Sequence, residues 1–168
     1  MNFEQATKAG SLYHLGMIAA DDFEKILADD RYKPHWYWFH ETYDNVCSVD
    51  LAGSVVAKTM GFEIHDTNIV RKLEQRKLIF VFDALLHLRR GDAEYAYILL
   101  RDGTSSNIVP YFTQGTKVPK PHFRHTLFQT RGMAKNFLSE LRAFLPKLRE
   151  FEESVGILRK PKEEIACG

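Results

Sequence analysis

The chain has 168 residues and a mass of 19.5 kDa, which suits one domain. Apolar residue types make up 45% of it, and Lys plus Arg (23) nearly balance Asp plus Glu (22). These values exclude a disordered chain and a strongly basic protein that coats nucleic acid, while they leave room for a local basic patch.

Helical spacing of apolar residues dominates the first part of the chain. Residues 3–29 predict one interrupted helix or two short ones, with weak points at Gly10 and Gly16 and with Asp21 and Asp22 at the start of a second helix. Residues 35–60 predict one long helix, because apolar positions recur at spacings of three and four and no proline intervenes. Residues 68–90 predict a further helix, and Asp92 is placed to cap a shorter one after it.

The second part of the chain contains an irregular connection and a last helix. Residues 103–125 combine Gly, Pro and small polar residues, which predicts a long loop of a kind that is often functional. The last helix is predicted from Thr130, and Pro146 is expected to kink or split it. We therefore predict an all-α fold, a four- to five-helix bundle with a long irregular loop before the last helix. Residues 1–156 would form a single domain and residues 157–168 a flexible tail.

The N-terminal residues and the cysteines favour a cytoplasmic location. The N-terminus lacks the basic and apolar regions of a secretory signal, and no apolar run is long enough to span a membrane. Cys47 and Cys167 have neither the spacing of a zinc site nor that of a disulfide framework. We expect a cytoplasmic protein with free thiols and no cofactor.

A buried polar site is predicted in the long helix over residues 35–60. Asp50 lies on its apolar face, where a carboxylate must find a donor, a cation or a proton. Asp50 could be a metal ligand or general base, or it could bond to a Tyr, His or Arg of a facing helix. His40 and Asp44 lie near it on the same predicted helix. Because no Glu-x-x-His motif occurs in the chain, we predict no metal.

A second candidate surface is the stretch between Gly103 and Ser139, which contains no Asp or Glu. Such a basic stretch with interleaved aromatic residues could bind phosphates by charge and stack on exposed bases. Alternatively, the aromatic residues anchor a solvated loop to the core, and its charge offsets the acidic N-terminal segment. The residues concerned are Lys117, Lys120, Arg124, Arg131 and Lys135, with Phe112, Phe123 and Phe128 between or near them.

Four segments together resemble the HEPN family of helical bundles. The most characteristic is AEYAYILLRDGTSSN at residues 93–107, a helix that ends in Leu-Leu-Arg-Asp before a small polar turn. The others are HETYDNVCSVDLAGSVVAKTMGF (residues 40–62), Leu-Arg-Arg-Gly-Asp (residues 88–92) and FLSELRAFLPKLREF (residues 137–151). The resemblance implies a helical module, in some cases from a defence or toxin–antitoxin setting.

HEPN proteins that cut RNA carry an Arg, four to six further residues and then a His. Arg101 is the only arginine in the matching place, and no His follows it at that spacing. The resemblance therefore implies the non-cleaving branch, which binds RNA or a protein partner and has no catalytic residues to assign. The expected nucleic-acid contacts are Arg101, Lys117, Lys120, Arg124 and Arg131.

Two enzyme alternatives and a third, structural role stay open. In a rearranged ribonuclease, His122 or His125 would fold back onto Arg101, so that the imidazole acts on the 2′-hydroxyl and the guanidinium holds the phosphate. A metal-dependent enzyme would centre on His40, Asp44 and Asp50. The third alternative is a structural subunit or immunity-type partner. In each case the aromatic run HWYWF at residues 35–39 favours a homodimer, because one small bundle is not expected to bury it fully.

Overall fold

The structure is a computed structural model, and it describes residues 1–36, 40–43 (backbone only), 46–63, 66, 68–104 and 117–159. Within these ranges the fold is mainly helical, as predicted, but it also contains a small sheet that the sequence analysis missed. The elements in chain order are α1 (Phe3–Ala9), α2 (Leu12–Leu27), β1 (Tyr32–Pro34), β2 (His40–Tyr43), β3 (Val46–Val49), α3 (Leu51–Lys58), α4 (Ile69–Gln75), α5 (Ile79–Arg89), α6 (Ala93–Thr104) and α7 (Arg131–Val155).

The N-terminal segment forms two helices, and the break falls at one of the two predicted weak points. Asn2 caps α1 in a reciprocal pair with Gln5. Gly10 ends the helix with φ 66°, a left-handed conformation that glycine adopts without strain. Ser11 then caps α2 by accepting the N–H of His14. The interruption at Gly10 is therefore confirmed, whereas the predicted helix start at Asp21 and Asp22 is wrong, because α2 continues through Gly16 and both aspartates.

The long helix predicted over residues 35–60 is wrong in its first half. Strand β3 pairs with β1 in parallel and with β2 in antiparallel fashion, so the strand order is β1-β3-β2. Val and other β-branched residues favour strands, and inward and outward positions alternate along β3. Asp50 follows the strand and caps α3, which is the only helix among the described residues of this segment. The described residues of 40–62, one of the HEPN-like segments, thus form two strands and a helix.

The helix predicted over residues 68–90 is divided in two. Lys77 has φ 57°, which ends α4 before α5 begins. Gly91 follows α5 with φ 87°, and Asp92 then accepts the N–H of Tyr95 through Oδ1, as its predicted capping role requires.

The last helix, α7, is one continuous helix. Thr130 caps it by accepting the N–H of Met133, and Gly156 ends it with φ 83°. The split considered at Pro146 does not occur. Pro146 is exposed, so water can reach the carbonyl of Arg142 that a proline cannot bond.

The core forms around α2, which packs on α7, α3 and α5, while α5 also packs on α6. The largest fully buried aromatic side chains come from four different helices and from the segment before α7. No helix in the described ranges combines the length and the apolar character that crossing a membrane requires. The buried aromatic residues include Tyr97, Phe23, Phe82, Phe128 and Phe137.

Candidate nucleic-acid interface

Residues 117–130 form an extended segment, here called the strap, that contains no helix or strand. It lies along α7 in the opposite direction. Its first residue, Lys117, shares a depression with the C-terminal turns of α7, whereas Phe128 near its end contacts Phe137, close to the start of that helix. The irregular connection predicted from Gly and Pro is confirmed for these residues. Residues 105–116, which include Phe112, lie outside the described ranges.

Two phenylalanines hold the strap against the core. Phe128 is fully buried, with ring centroids 5.3 Å from both Phe23 and Phe137. Phe123 is half-buried, and its ring meets those of Phe137 and Phe144 edge-on at 5.3 Å and 5.7 Å. Both rings therefore act as anchors, in agreement with the alternative that the sequence left open, and neither is free to stack on a base.

Glu140 of α7 fixes the middle of the strap. Its Oε2 accepts the main-chain N–H of Arg124 at 2.7 Å, and its Oε1 lies 2.6 Å from Nδ1 of His125. Because the backbone is held here and Phe123 points inward, the side chain of Arg124 projects to the solvent. Sequence reasoning missed Glu140, which is the first acidic residue after the acid-free stretch.

Three of the five predicted nucleic-acid contacts lie on the strap, between residues 117 and 124. Lys117, Lys120 and Arg124 are exposed, and none of them forms an ion pair within the described ranges. Lys147 of α7 lines the same depression as Lys117 and is also exposed. The structure therefore brings together a row of cations, one of which the sequence analysis did not select.

Arg131, the fourth predicted contact, is directed towards main-chain carbonyls of the protein, and its contact with nucleic acid stays a prediction. Its Nη1 donates to the carbonyl of Leu27 at 2.9 Å and its Nη2 to the carbonyl of Tyr32 at 2.6 Å. Weaker bonds reach Ile26 and Asp29. The guanidinium thus satisfies carbonyls at the C-terminus of α2, where the helix dipole favours a cation.

Arg101, the fifth predicted contact, lies away from the strap row, in the last turns of α6. It is half-buried, and its Nε donates to Oδ1 of the neighbouring Asp102 at 3.2 Å. The imidazole of His125 is bonded to Glu140. The rearranged ribonuclease site that would join Arg101 to His122 or His125 stays a prediction.

At the predicted buried polar site, Asp50 forms a buried ion pair with Arg89. Asp50 accepts the N–H of Gly53 at 2.9 Å through Oδ1 and a bond from Arg89 Nε at 3.0 Å through Oδ2. Asp50 and Arg89 are 0% and 1% exposed, so both oxygens are already used in a dry environment. Burial raises the pKa of Asp50 to about 6, although Arg89 and the Gly53 amide act in the opposite direction. The partner on a facing helix that the sequence left open is therefore Arg89.

His40 and Asp44 do not share a helical face with Asp50. His40 belongs to β2 and is paired in register with Val49, while Asp44 lies outside the described ranges. Among the described residues, no group of three His, Cys, Asp or Glu side chains could hold a metal ion.

Glu152 is a second buried carboxyl group, and nothing in the sequence pattern indicated it. Its Oε1 accepts the hydroxyl of Ser11, and its Oε2 accepts the N–H of Tyr13 and the hydroxyl of Tyr97, both at 2.7 Å. Burial raises the pKa of Glu152 to about 7, although these three donors favour the charged form. The group joins α6 and α7 to the N-terminus of α2, whose dipole favours a negative charge.

Comparisons with known proteins found no match: no family model, no curated protein and no solved structure resembles the chain significantly.

Proposed function

We propose that the protein is a non-catalytic module that binds RNA through the phosphates. The observation that carries the proposal is the row formed by Lys117, Lys120 and Arg124, which are exposed, free of ion pairs within the described ranges and held on one extended segment. The seven residue steps of extended chain from Lys117 to Arg124 span at most about 25 Å. Such a row can follow the backbone of one nucleic-acid strand.

The orientation of the strap favours phosphates over bases as the contacts. Phe123 and Phe128, the aromatic residues that could have stacked on bases, pack against α7 instead. Lys and Arg side chains on a surface contact phosphate oxygens, which carry no sequence information. We therefore expect RNA binding that depends strongly on salt and weakly on base sequence.

The test is a comparison of two charge-matched triple variants. Binding of a labelled single-stranded RNA is measured between 50 and 200 mM salt, a range of roughly fourfold over which phosphate contacts weaken measurably. The first variant changes Lys117, Lys120 and Arg124 to Gln. The control changes three exposed cations on other elements that form no ion pair in the described ranges, namely Lys33, Arg71 and Lys135.

We expect the strap variant to lose most of the affinity and to flatten the slope of log K against log salt by about 2, since each phosphate contact to a single strand contributes about 0.7. The control should change the slope by much less, although it loses the same charge. Equal effects of the two variants, or no binding by the wild type at low salt, would contradict the proposal. The second outcome would leave a protein partner as the ligand.

The resemblance to the HEPN family and the homodimer both belong to this proposal. The family pattern places a Leu-Leu-Arg-Asp sequence in the last part of a helix, and Arg101 and Asp102 lie in the last turn of α6, which ends at Thr104. The dimer was inferred from the aromatic run at residues 35–39, of which Tyr37, Trp38 and Phe39 lie outside the described ranges. Light scattering of the purified protein decides between a monomer and a dimer.

A further inference from the structure

We infer that the strap surface accepts a single RNA strand and disfavours a duplex. The inference rests on the proposed function and concerns the charges beside the cation row. Lys117 lies between two depressions, one towards the start of α6 and the other towards the end of α7. Their volumes are about 540 Å³ and about 430 Å³, respectively.

Each depression has a carboxylate in its lining. Asp92 and Glu94 line the one towards α6, and Glu150 lines the one towards α7. Glu94 and Glu150 are exposed, and neither forms an ion pair within the described ranges. The Lys117 end of the cation row thus has a free negative charge beside it in both depressions, and only the α7 depression adds a further cation, Lys147.

These carboxylates affect a single strand and a duplex differently. A duplex carries two rows of phosphates, so when one row lies on Lys117 and Lys120, the other faces either Glu94 or Glu150. A duplex is also stiff over lengths far greater than this surface, so it cannot bend away from the carboxylates. A single strand places one row of phosphates on the lysines and is flexible enough to keep the rest of its charge away.

The experiment compares one short single-stranded RNA with its duplex. The wild type should prefer the single strand by about tenfold, because juxtaposed like charges suppress the wrong ligand. In the variant Glu94→Gln/Glu150→Gln, duplex affinity should rise and the preference should shrink to about a third or less of its original value. The matched control is Glu63→Gln/Glu74→Gln, which removes two exposed carboxylates elsewhere and should leave the preference unchanged.

The outcomes separate this inference from the proposed function. Equal wild-type affinity for the single strand and the duplex would overturn the inference, while RNA binding by the strap would stand. An equal rise in duplex affinity in the Glu94/Glu150 variant and in the control would also overturn it, because the effect would then come from net charge alone. Absence of binding to either RNA would overturn the proposed function and the inference together.

Discussion

Arg89 donates a hydrogen bond from Nη1 to the main-chain oxygen of Thr126 at 3.1 Å. The same guanidinium is buried and bonded through Nε to Asp50. The last residue of α5 therefore connects the strap to the start of α3. Because Thr126 lies two residues after Arg124, the buried pair of Asp50 and Arg89 helps to fix the backbone of the strap next to Arg124.

The first prediction concerns this ion pair. Asp50→Ala should lower the free energy of unfolding by about 3–5 kcal/mol, because it leaves Arg89 buried without its counter-charge and removes the cap of α3. The double variant Asp50→Ala/Arg89→Met should lose less than the sum of the two single variants, since the two side chains interact directly. Urea unfolding measures all three. A loss below about 1 kcal/mol for Asp50→Ala would contradict the buried pair.

The second prediction separates Arg131 from the cation row. Arg131→Ala should lower the free energy of unfolding by about 2 kcal/mol, because carbonyls at the end of α2 lose a charged donor. The salt dependence of RNA binding should stay the same, because Arg131 does not face the solvent side of the strap. Lys135→Ala, four residues further along α7, serves as the control and should leave stability nearly unchanged. A flatter slope of log K against log salt for Arg131→Ala would show that Arg131 contacts the RNA after all.

The third prediction is a pH dependence that arises from Glu152. Its pKa is raised from 4.5 to about 7 in the folded protein. Between these values the native state retains a proton that the unfolded chain has lost, so the free energy of unfolding should fall as the pH rises through this window, by up to roughly 3 kcal/mol. Above pH about 7 the loss is complete.

Urea unfolding of the wild type and of Glu152→Gln at several pH values tests this dependence. In Glu152→Gln, the part of the fall in the free energy of unfolding that comes from Glu152 should be absent. A smaller fall should remain, because the pKa of Asp50 is also raised. Parallel pH profiles for the two proteins would show that Glu152 does not titrate in this window.

The fourth prediction concerns the packing of α6 on α5. A Cβ atom on Gly103 would overlap the ring of Phe80, closer than any non-bonded contact allows. Gly103→Ala should therefore destabilise the protein by about 1–3 kcal/mol, because the ring must move within a packed interface. Gly132→Ala is the control, since its nearest atom is 3.9 Å away. Thermal unfolding compares the two, and equal melting temperatures would contradict the close approach.

The sequence predicted those features that depend on neighbouring residues. Gly10, Thr130 and Gly156 end or begin helices where expected, because caps act within one turn. The strands were missed because β2 and β3 have only four residues each, which is too short for an alternating pattern to stand out from the helical spacing that continues into α3. Recognising them needs the pairing partners, and β1 pairs with β3 from outside this segment.

Only part of the site was predicted, because some of its residues depend on contacts with distant parts of the chain. Lys117, Lys120 and Arg124 are exposed as expected, since a cation on an irregular segment is normally solvated. Arg131 could not be assigned from sequence, because the carbonyls that it bonds lie about a hundred residues earlier in the chain. Lys147 is three residues after Phe144, which contacts the strap, so the helical spacing would have indicated it once the path of the strap was known.

The salt dependence of wild-type binding to a single-stranded RNA tests the central claim most directly. With three to four phosphate contacts from Lys117, Lys120, Arg124 and Lys147, the slope of log K against log salt should be about −2 to −3. A slope near zero, or no binding at low salt, would contradict the claim that this row of cations holds the RNA backbone.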